Sequence, residues 1–217
     1  MRFGVLGTGM VGQALGGKLV DLGHEVRMGS RQAGNDKAVA WAEEAGEGAS
    51  EGSFADAASF GETIVNATAG AHSLEALDMA GAENLAGKVL IDVVNAIDFS
   101  GGEFTLTVAN TDSLGEQIQR AHPDVRVVKA LNTVNVGIMV APDTLGEETN
   151  IFVCGNDAAA KAQVIELLET FGWLSRDIVD LGDITGARGM ESYLHLWVRL
   201  WQTSDSTRFN IKIVRGD

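Results

Sequence analysis

The sequence is short of cations, cysteine and unbroken apolar stretches, and each shortage excludes something. Sixteen Lys and Arg stand against thirty Asp and Glu in 217 residues, a formal net charge of −14. Nucleic acid, a polyanion, wants the opposite sign, so a nucleic-acid-binding role is excluded. The single cysteine, Cys154, permits no internal disulfide and suits a reducing cytoplasm. Within the apolar stretch Ile151–Cys154 it reads as a buried strand residue, not a nucleophile. No apolar run is long enough to span a bilayer. The first residues lead straight into a glycine turn with no cleavage site, so no signal peptide is expected. Of the four histidines, His72, His122 and His195 stand far apart without zinc spacing, and no metal site is expected.

What is present begins at the first residue. Met1–Leu6 (MRFGVL) predicts a short apolar strand, and Gly7-Thr8-Gly9-Met10-Val11-Gly12 follows at once. A helical pattern then carries apolar residues at Val11, Leu15, Leu19 and Leu22. Gly23 closes it, and His24–Met28 predicts a second strand ending in Gly29-Ser30-Arg31. This strand–turn–helix–strand unit is a dinucleotide-binding fingerprint. Gly7 allows the tight turn, Gly9 lets a pyrophosphate approach the backbone, and Gly12 lets the helix pack close to the strand. Free N–H groups at the helix start, with the positive end of its dipole, face the phosphates.

The end of the second strand decides which dinucleotide. An NAD site carries Asp or Glu about 20 residues past the glycines to hold the ribose 2′-OH. Here the position holds Ser30 and Arg31, with no carboxylate to repel a 2′-phosphate and two groups able to bind one. Thr8 adds a hydroxyl from the turn. On an acidic protein a cation in that place is informative. NADP(H) is the expected cofactor; the plain alternative is a pair of solvated loop residues.

The chain continues as alternating helices and strands. Helices are expected at 35–45, 54–60, 73–80 (Ser73 as N-cap) and 113–121. Strands are expected at 62–68, 88–94 and 125–130, with a loop around a short weak strand at 46–53. A Gly-rich loop is expected at Ser100–Gly102. This is an α/β fold, a Rossmann doubly wound parallel sheet. Ligands of such sheets bind beyond the carboxyl ends of the strands. The candidates are therefore Gly7, Thr8, Gly9, Met10, Val11, Gly12, Ser30, Arg31, Thr68, Ala69, Asn95 and Asn132, all as cofactor-binding residues. Asn95 and Asn132 are short amides suited to a carboxamide or ribose hydroxyl. His72 is the one histidine at a strand's carboxyl end and the candidate proton donor; the plain alternative is a loop-filling residue.

The last third differs. A strand is expected at 149–154, a helix at 158–170 capped by Asp157, and a strand at 173–181. A long helical segment spans 184–202, and a closing strand covers Phe209–Val214. Apolar residues on several faces of the long helix (Tyr193, Leu194, Leu196, Trp197, Leu200, Trp201) point to packing or a dimer seam. The sharper alternative is a wall for a flat second substrate.

The chain resembles the coenzyme F-420-dependent NADP oxidoreductases along essentially its whole length. The likeness is carried by MRFGVLGTGMVG, LGHEVRMGSR, NATAGAH, VVKALNT, NIFVCGND, VDLGDITGARGMES and FNIK. The cytosolic domains of six-transmembrane ferric reductases look similar too. In the family the Thr of the turn and the Ser-Arg pair bind the 2′-phosphate, which here implies Thr8, Ser30 and Arg31. The resemblance further implies a small C-terminal α/β addition, dimerisation, and hydride transfer between NADP(H) and a deazaflavin. The domains expected are then 1–147, binding NADP, and 148–217, completing the substrate pocket and the dimer interface. Coenzyme F-420 or a flavin is the expected second substrate, and the chain is expected to be a cytoplasmic homodimer acting on a small redox molecule.

Two other readings stand beside this one. A reductase of a small hydroxy acid or imine would need a general acid, for which Lys129 is the nearest candidate, though it sits within an expected strand. A non-catalytic NADP-binding module would use the aromatic helix as a partner surface. Hydride transfer between flat heterocycles relies on binding and orientation more than on acid–base groups, which fits a chain with no catalytic triad.

Overall fold

The first strand, β1 (Arg2–Leu6), is buried along all but its first residue, as an unbroken apolar strand covered on both faces must be. It feeds α1 (Met10–Asp21), whose buried Gly12, Leu15, Gly16 and Leu19 recur at three- and four-residue spacing. The computed structural model describes residues 1–98 and 101–216. Next come β2 (Glu25–Ser30), α2 (Asp36–Ala45), β3 (Ala49–Ser53), α3 (Phe54–Phe60) and β4 (Thr63–Asn66). Asn35 caps α2, and a Ser53–Asp56 capping box opens α3. Then follow α4 (Ser73–Ala80), α5 (Ala82–Leu85) and β5 (Val89–Asp92). An antiparallel ribbon of β6 (Ile97–Asp98) and β7 (Thr105–Leu106) precedes α6 (Leu114–Ala121) and β8 (Arg126–Ala130). The rest is α7 (Val136–Val140), β9 (Ile151–Gly155), α8 (Ala158–Thr170), β10 (Ile178–Asp180), α9 (Ala187–Ser192) and α10 (Leu194–Ser204).

Eight strands form one sheet in the order β10-β9-β8-β5-β4-β1-β2-β3. Every pairing is parallel except β8 with β9. The chain runs outward from β1 through β2 and β3, then crosses back to lay β4 on the other side of β1. The reversal between β1 and β4 is the topological switch point, and it opens a crevice at the carboxyl ends of those strands. Successive residues of each strand feed opposite faces. Val5 and Val128 join Leu15 and Trp41 in one apolar cluster, while Leu6 and Val127 join Phe54 and Leu77 in the other. The expected doubly wound α/β sheet is the fold, and β9 and β10 extend it.

Four local expectations are corrected. Ser73 is not a cap: its buried hydroxyl accepts from Asn66 Nδ2 at 2.7 Å, and His72 holds the N-cap position without a side-chain cap bond. The strand expected at 173–181 shortens to β10. Trp173 is buried, donating Nε1–H to the Met139 carbonyl at 3.1 Å, and Ser175–Asp177 is a 3₁₀ turn. The closing strand at 209–214 does not form. Asn150 N–H donates to the Ile211 carbonyl at 3.0 Å, and side-chain bonds of Asn150 and Asn210 fix the rest of the tail. These are isolated bonds to Asn150 and not a ladder along a neighbouring strand, so the alternation alone makes no strand. The weak strand expected within 46–53 is a full parallel partner of β2 over five residues. Ser100, expected in a Gly-rich loop, lies outside the described residues.

Candidate active site

The glycine turn is built by contact. Gly7 has φ +117°, and a Cβ there would stand 2.4 Å from the Ala67 carbonyl oxygen at the end of β4. A Cβ on Gly12 would meet the Gly7 carbonyl oxygen at 2.1 Å. These two residues let β1, β4 and α1 meet closely, and Gly12 sits behind the turn. Gly9 is the opposite case, with nothing within 4 Å of an added Cβ. As N-cap of α1 it makes no side-chain cap bond, and the first turn holds no acidic residue. The N–H groups and dipole of α1 therefore face open space.

That space is a cavity of about 740 Å³. Its walls bring together Gly7, Thr8, Gly9, Met10 and Val11 from the turn, Ser30 and Arg31 at the end of β2 and just past it, and Thr68, Ala69 and His72 beyond β4. Gln32, Asn35, Phe54 and Ala76 are among the other residues on the wall; these carry no sequence signal that separates them from ordinary loop and core residues. The buried Ser30 hydroxyl donates to the Gln32 carbonyl. The strand end itself holds Ser30 and Arg31 as expected, and a carboxylate reaches Arg31 from another element, Glu75. Its Oε2 lies 3.8 Å from the Arg31 guanidinium and 3.4 Å from His72 Nδ1. The turn of α4 brings it there from a distant stretch, and only its three-residue spacing from His72 hints at the meeting.

A second cavity of about 530 Å³ shares Met10, Val11, Thr68 and Ala69 with the first. It adds Asn95, Asn132, Thr133, Leu194 and Trp197. Asn95 Nδ2 donates to the Asn132 carbonyl at 2.8 Å, and Asn132 Nδ2 donates back to Asn95 Oδ1 at 2.9 Å and to the Met190 carbonyl at 3.1 Å. Asn132 Oδ1 and Thr133 Oγ1 are buried and have no hydrogen-bond partner. Buried acceptors are normally satisfied, and these two are ready for an amide or hydroxyl. His72 is absent from this second wall and present on the first. Leu194 and Trp197 place one edge of the aromatic helix on a cavity, while Leu196 and Trp201 stay exposed.

Beneath both cavities lies a charged chain that sequence reasoning missed. Lys129 has no exposure; its Nζ stands 2.9 Å from Asp92 Oδ2, 2.9 Å from Glu191 Oε1, and donates to the Val94 carbonyl. Burial alone would lower the lysine pKa, but the two carboxylates outweigh it and hold the ammonium above its usual range. Both Glu191 oxygens also accept backbone N–H groups from Leu114 and Gly115 at the start of α6. Asp92 Oδ1 accepts from Asn66, whose Oδ1 accepts the Thr68 hydroxyl at 2.8 Å. Lys129 is thus fully engaged and on neither cavity wall, which removes it as the general acid of the hydroxy-acid or imine reading. Cys154 is buried as expected, and burial pushes its thiol up to about 12. Among the described residues no group of His, Cys, Asp and Glu could hold a metal ion.

A doubly wound sheet with a glycine turn at its switch point and a long crevice along its carboxyl ends is the architecture of a dinucleotide-binding protein. The family of coenzyme F-420-dependent NADP oxidoreductases matches over residues 2–96. A solved structure from Arthrobacter sp. FB24, provisionally named an F-420-dependent NADP-reductase, is 49% identical. It covers 99% of both chains with a TM-score of 0.91. The chain belongs to this family and is an NADP-dependent oxidoreductase. Metalloreductase STEAP3 of Rattus norvegicus is 28% identical over 192 residues, 88% of this chain and 36% of its own length. The chain spans between 22% and 36% of the curated relatives it matches. A reductive aminase from Aspergillus terreus, solved with NADPH and ethyl levulinate, shares the fold with 18% identity and a TM-score of 0.68. That likeness covers 94% of this chain and 62% of the aminase. No helix among the described residues is long and apolar enough to cross a membrane.

Proposed function

We propose that NADP(H) lies across the two joined cavities and exchanges a hydride with coenzyme F-420 or a flavin-like molecule in the second. The observation that carries this is the continuity of the cavities through Met10, Val11, Thr68 and Ala69, one holding Arg31 and the other Trp197. Bound NADPH supplies the hydride, and the acceptor takes it with a proton from water. The chain's own residues bind and orient. The start of α1 holds the pyrophosphate, and Thr8, Ser30 and Arg31 hold the 2′-phosphate. The Ser30 hydroxyl turns from Gln32 to the phosphate to do so. Asn132 Oδ1 and Thr133 Oγ1 accept from the carboxamide or ribose, with Asn95 fixing Asn132. Leu194 and Trp197 give the flat acceptor an apolar wall, so that orientation supplies most of the rate.

In this reading residues 1–147 carry the cofactor and 148–217 complete the acceptor site and the seam of a homodimer. The exposed Leu196 and Trp201 beside Trp197 support that seam. The buried free thiol fits a cytoplasmic setting. The test is Trp197→Ala. It raises the KM for F-420 several-fold and leaves NADPH affinity within twofold; an unchanged acceptor KM contradicts the assignment of this wall.

A further inference from the structure

Arg31, His72 and Glu75 meet at one point on the wider cavity. A single oxygen, Glu75 Oε2, faces both the Arg31 guanidinium at 3.8 Å and His72 Nδ1 at 3.4 Å. The two basic side chains come from different places, the residue just after β2 and the N-cap of α4, and both line the cavity; Glu75 does not. All three side chains are more than half exposed. At such exposure an ion pair adds little to the fold, so neither burial nor a strong pair fixes this arrangement. An oxygen anion flanked by a guanidinium and an imidazole is also the chemistry that recognises a phosphomonoester. A phosphate carries more charge and three acceptor oxygens.

We propose that His72 is a ligand of the cofactor's 2′-phosphate together with Arg31, and that Glu75 competes with the phosphate for the same two side chains. His72 is then a specificity-determining residue and Glu75 sets how strongly NADP(H) is preferred over NAD(H). The inference rests on the reading that the 2′-phosphate lies at Arg31. It moves His72 from proton transfer to phosphate binding, because His72 lines the first cavity, beside Arg31, and not the second. A sequence pattern could not separate the two roles, because both put a histidine at the carboxyl end of a strand.

The test is calorimetric titration with 2′,5′-ADP and 5′-AMP, which differ by the one phosphate and carry no nicotinamide. In the unaltered chain 2′,5′-ADP binds more tightly. Glu75→Gln strengthens 2′,5′-ADP binding about threefold or more and leaves 5′-AMP within twofold. His72→Gln weakens 2′,5′-ADP by a similar factor with 5′-AMP again unmoved. A purely structural role would shift both ligands together, so the ratio is the readout. Unchanged ratios in both variants, with strong discrimination by the unaltered chain, overturn this inference alone. No discrimination in the unaltered chain overturns the Arg31 reading beneath it. Glu75→Asp separates charge from shape, because it keeps the carboxylate and is expected to retain most of the competition.

Discussion

Lys129 Nζ stands 2.9 Å from Glu191 Oε1, and neither side chain has more than 2% of its surface exposed. The pair joins the end of a central strand to a helix sixty-odd residues on in the chain, directly below the crevice. Its partner Asp92 adds a second carboxylate, and the start of α6 stabilises the extra negative charge through two backbone N–H groups. Removing one member leaves the others buried and unpaired. Lys129→Met is expected to lose about 3–5 kcal/mol of stability, measured by urea denaturation, and Lys129→Met with Glu191→Gln to recover part of it. The lysine pKa is raised by folding, so its contribution is complete below the ordinary value of 10.5 and is lost as pH rises through the higher folded value. The gap between the two chains should therefore be constant from pH 6 to 9 and narrow in stronger alkali. A Lys129→Met chain as stable as the parent would contradict the network.

Arg31→Ala is expected to raise the KM for NADPH at least tenfold, about 1.4 kcal/mol or more, and to leave NADH nearly untouched. Steady-state rates with both cofactors decide it. Equal losses would remove the 2′-phosphate from this residue.

At Gly9 the space around an added methyl is open, so Gly9→Ala is expected to fold with unchanged thermal stability. It should weaken NADPH and NADH alike, because the methyl enters the space over the helix start that the pyrophosphate needs. Tight binding of either cofactor by this variant would mean that the phosphates lie elsewhere.

The thiol of Cys154, fully buried and pushed up to about 12, is expected to resist a disulfide reagent at pH 8 in the native chain. It should react completely once the chain is unfolded. Rapid native labelling would show that β9 opens on the time scale of the assay.

The fold was legible where local pattern and tertiary need agree. The glycine turn and the cap at Asp157 both act within a few residues, and the structure has each of them. The crevice residues were legible because a parallel sheet puts every strand's carboxyl end on one side, so Thr8, Arg31, Thr68 and Asn132 had to share an edge. What was not legible depends on long-range meetings. Glu191 reaches Lys129 only once α9 packs on α6, and nothing at either position in the sequence announces it. The alternation of Phe209–Val214 suggested a strand, but strands need a partner edge, and the tail finds chiefly Asn150. Trp197 read first as packing, because a helix apolar on several faces is usually buried, with a pocket wall as the alternative; one edge of the helix does reach a cavity wall.

The most direct test of the account is the absorbance of NADPH at 340 nm with purified protein, with F-420 and FMN added in parallel reactions. Oxidation of NADPH in stoichiometric step with reduction of F-420, abolished or much slowed with NADH, is the predicted result. Tight NADPH binding with no oxidation by either acceptor would contradict the proposed hydride transfer, leaving the dinucleotide site without the second substrate assigned to it.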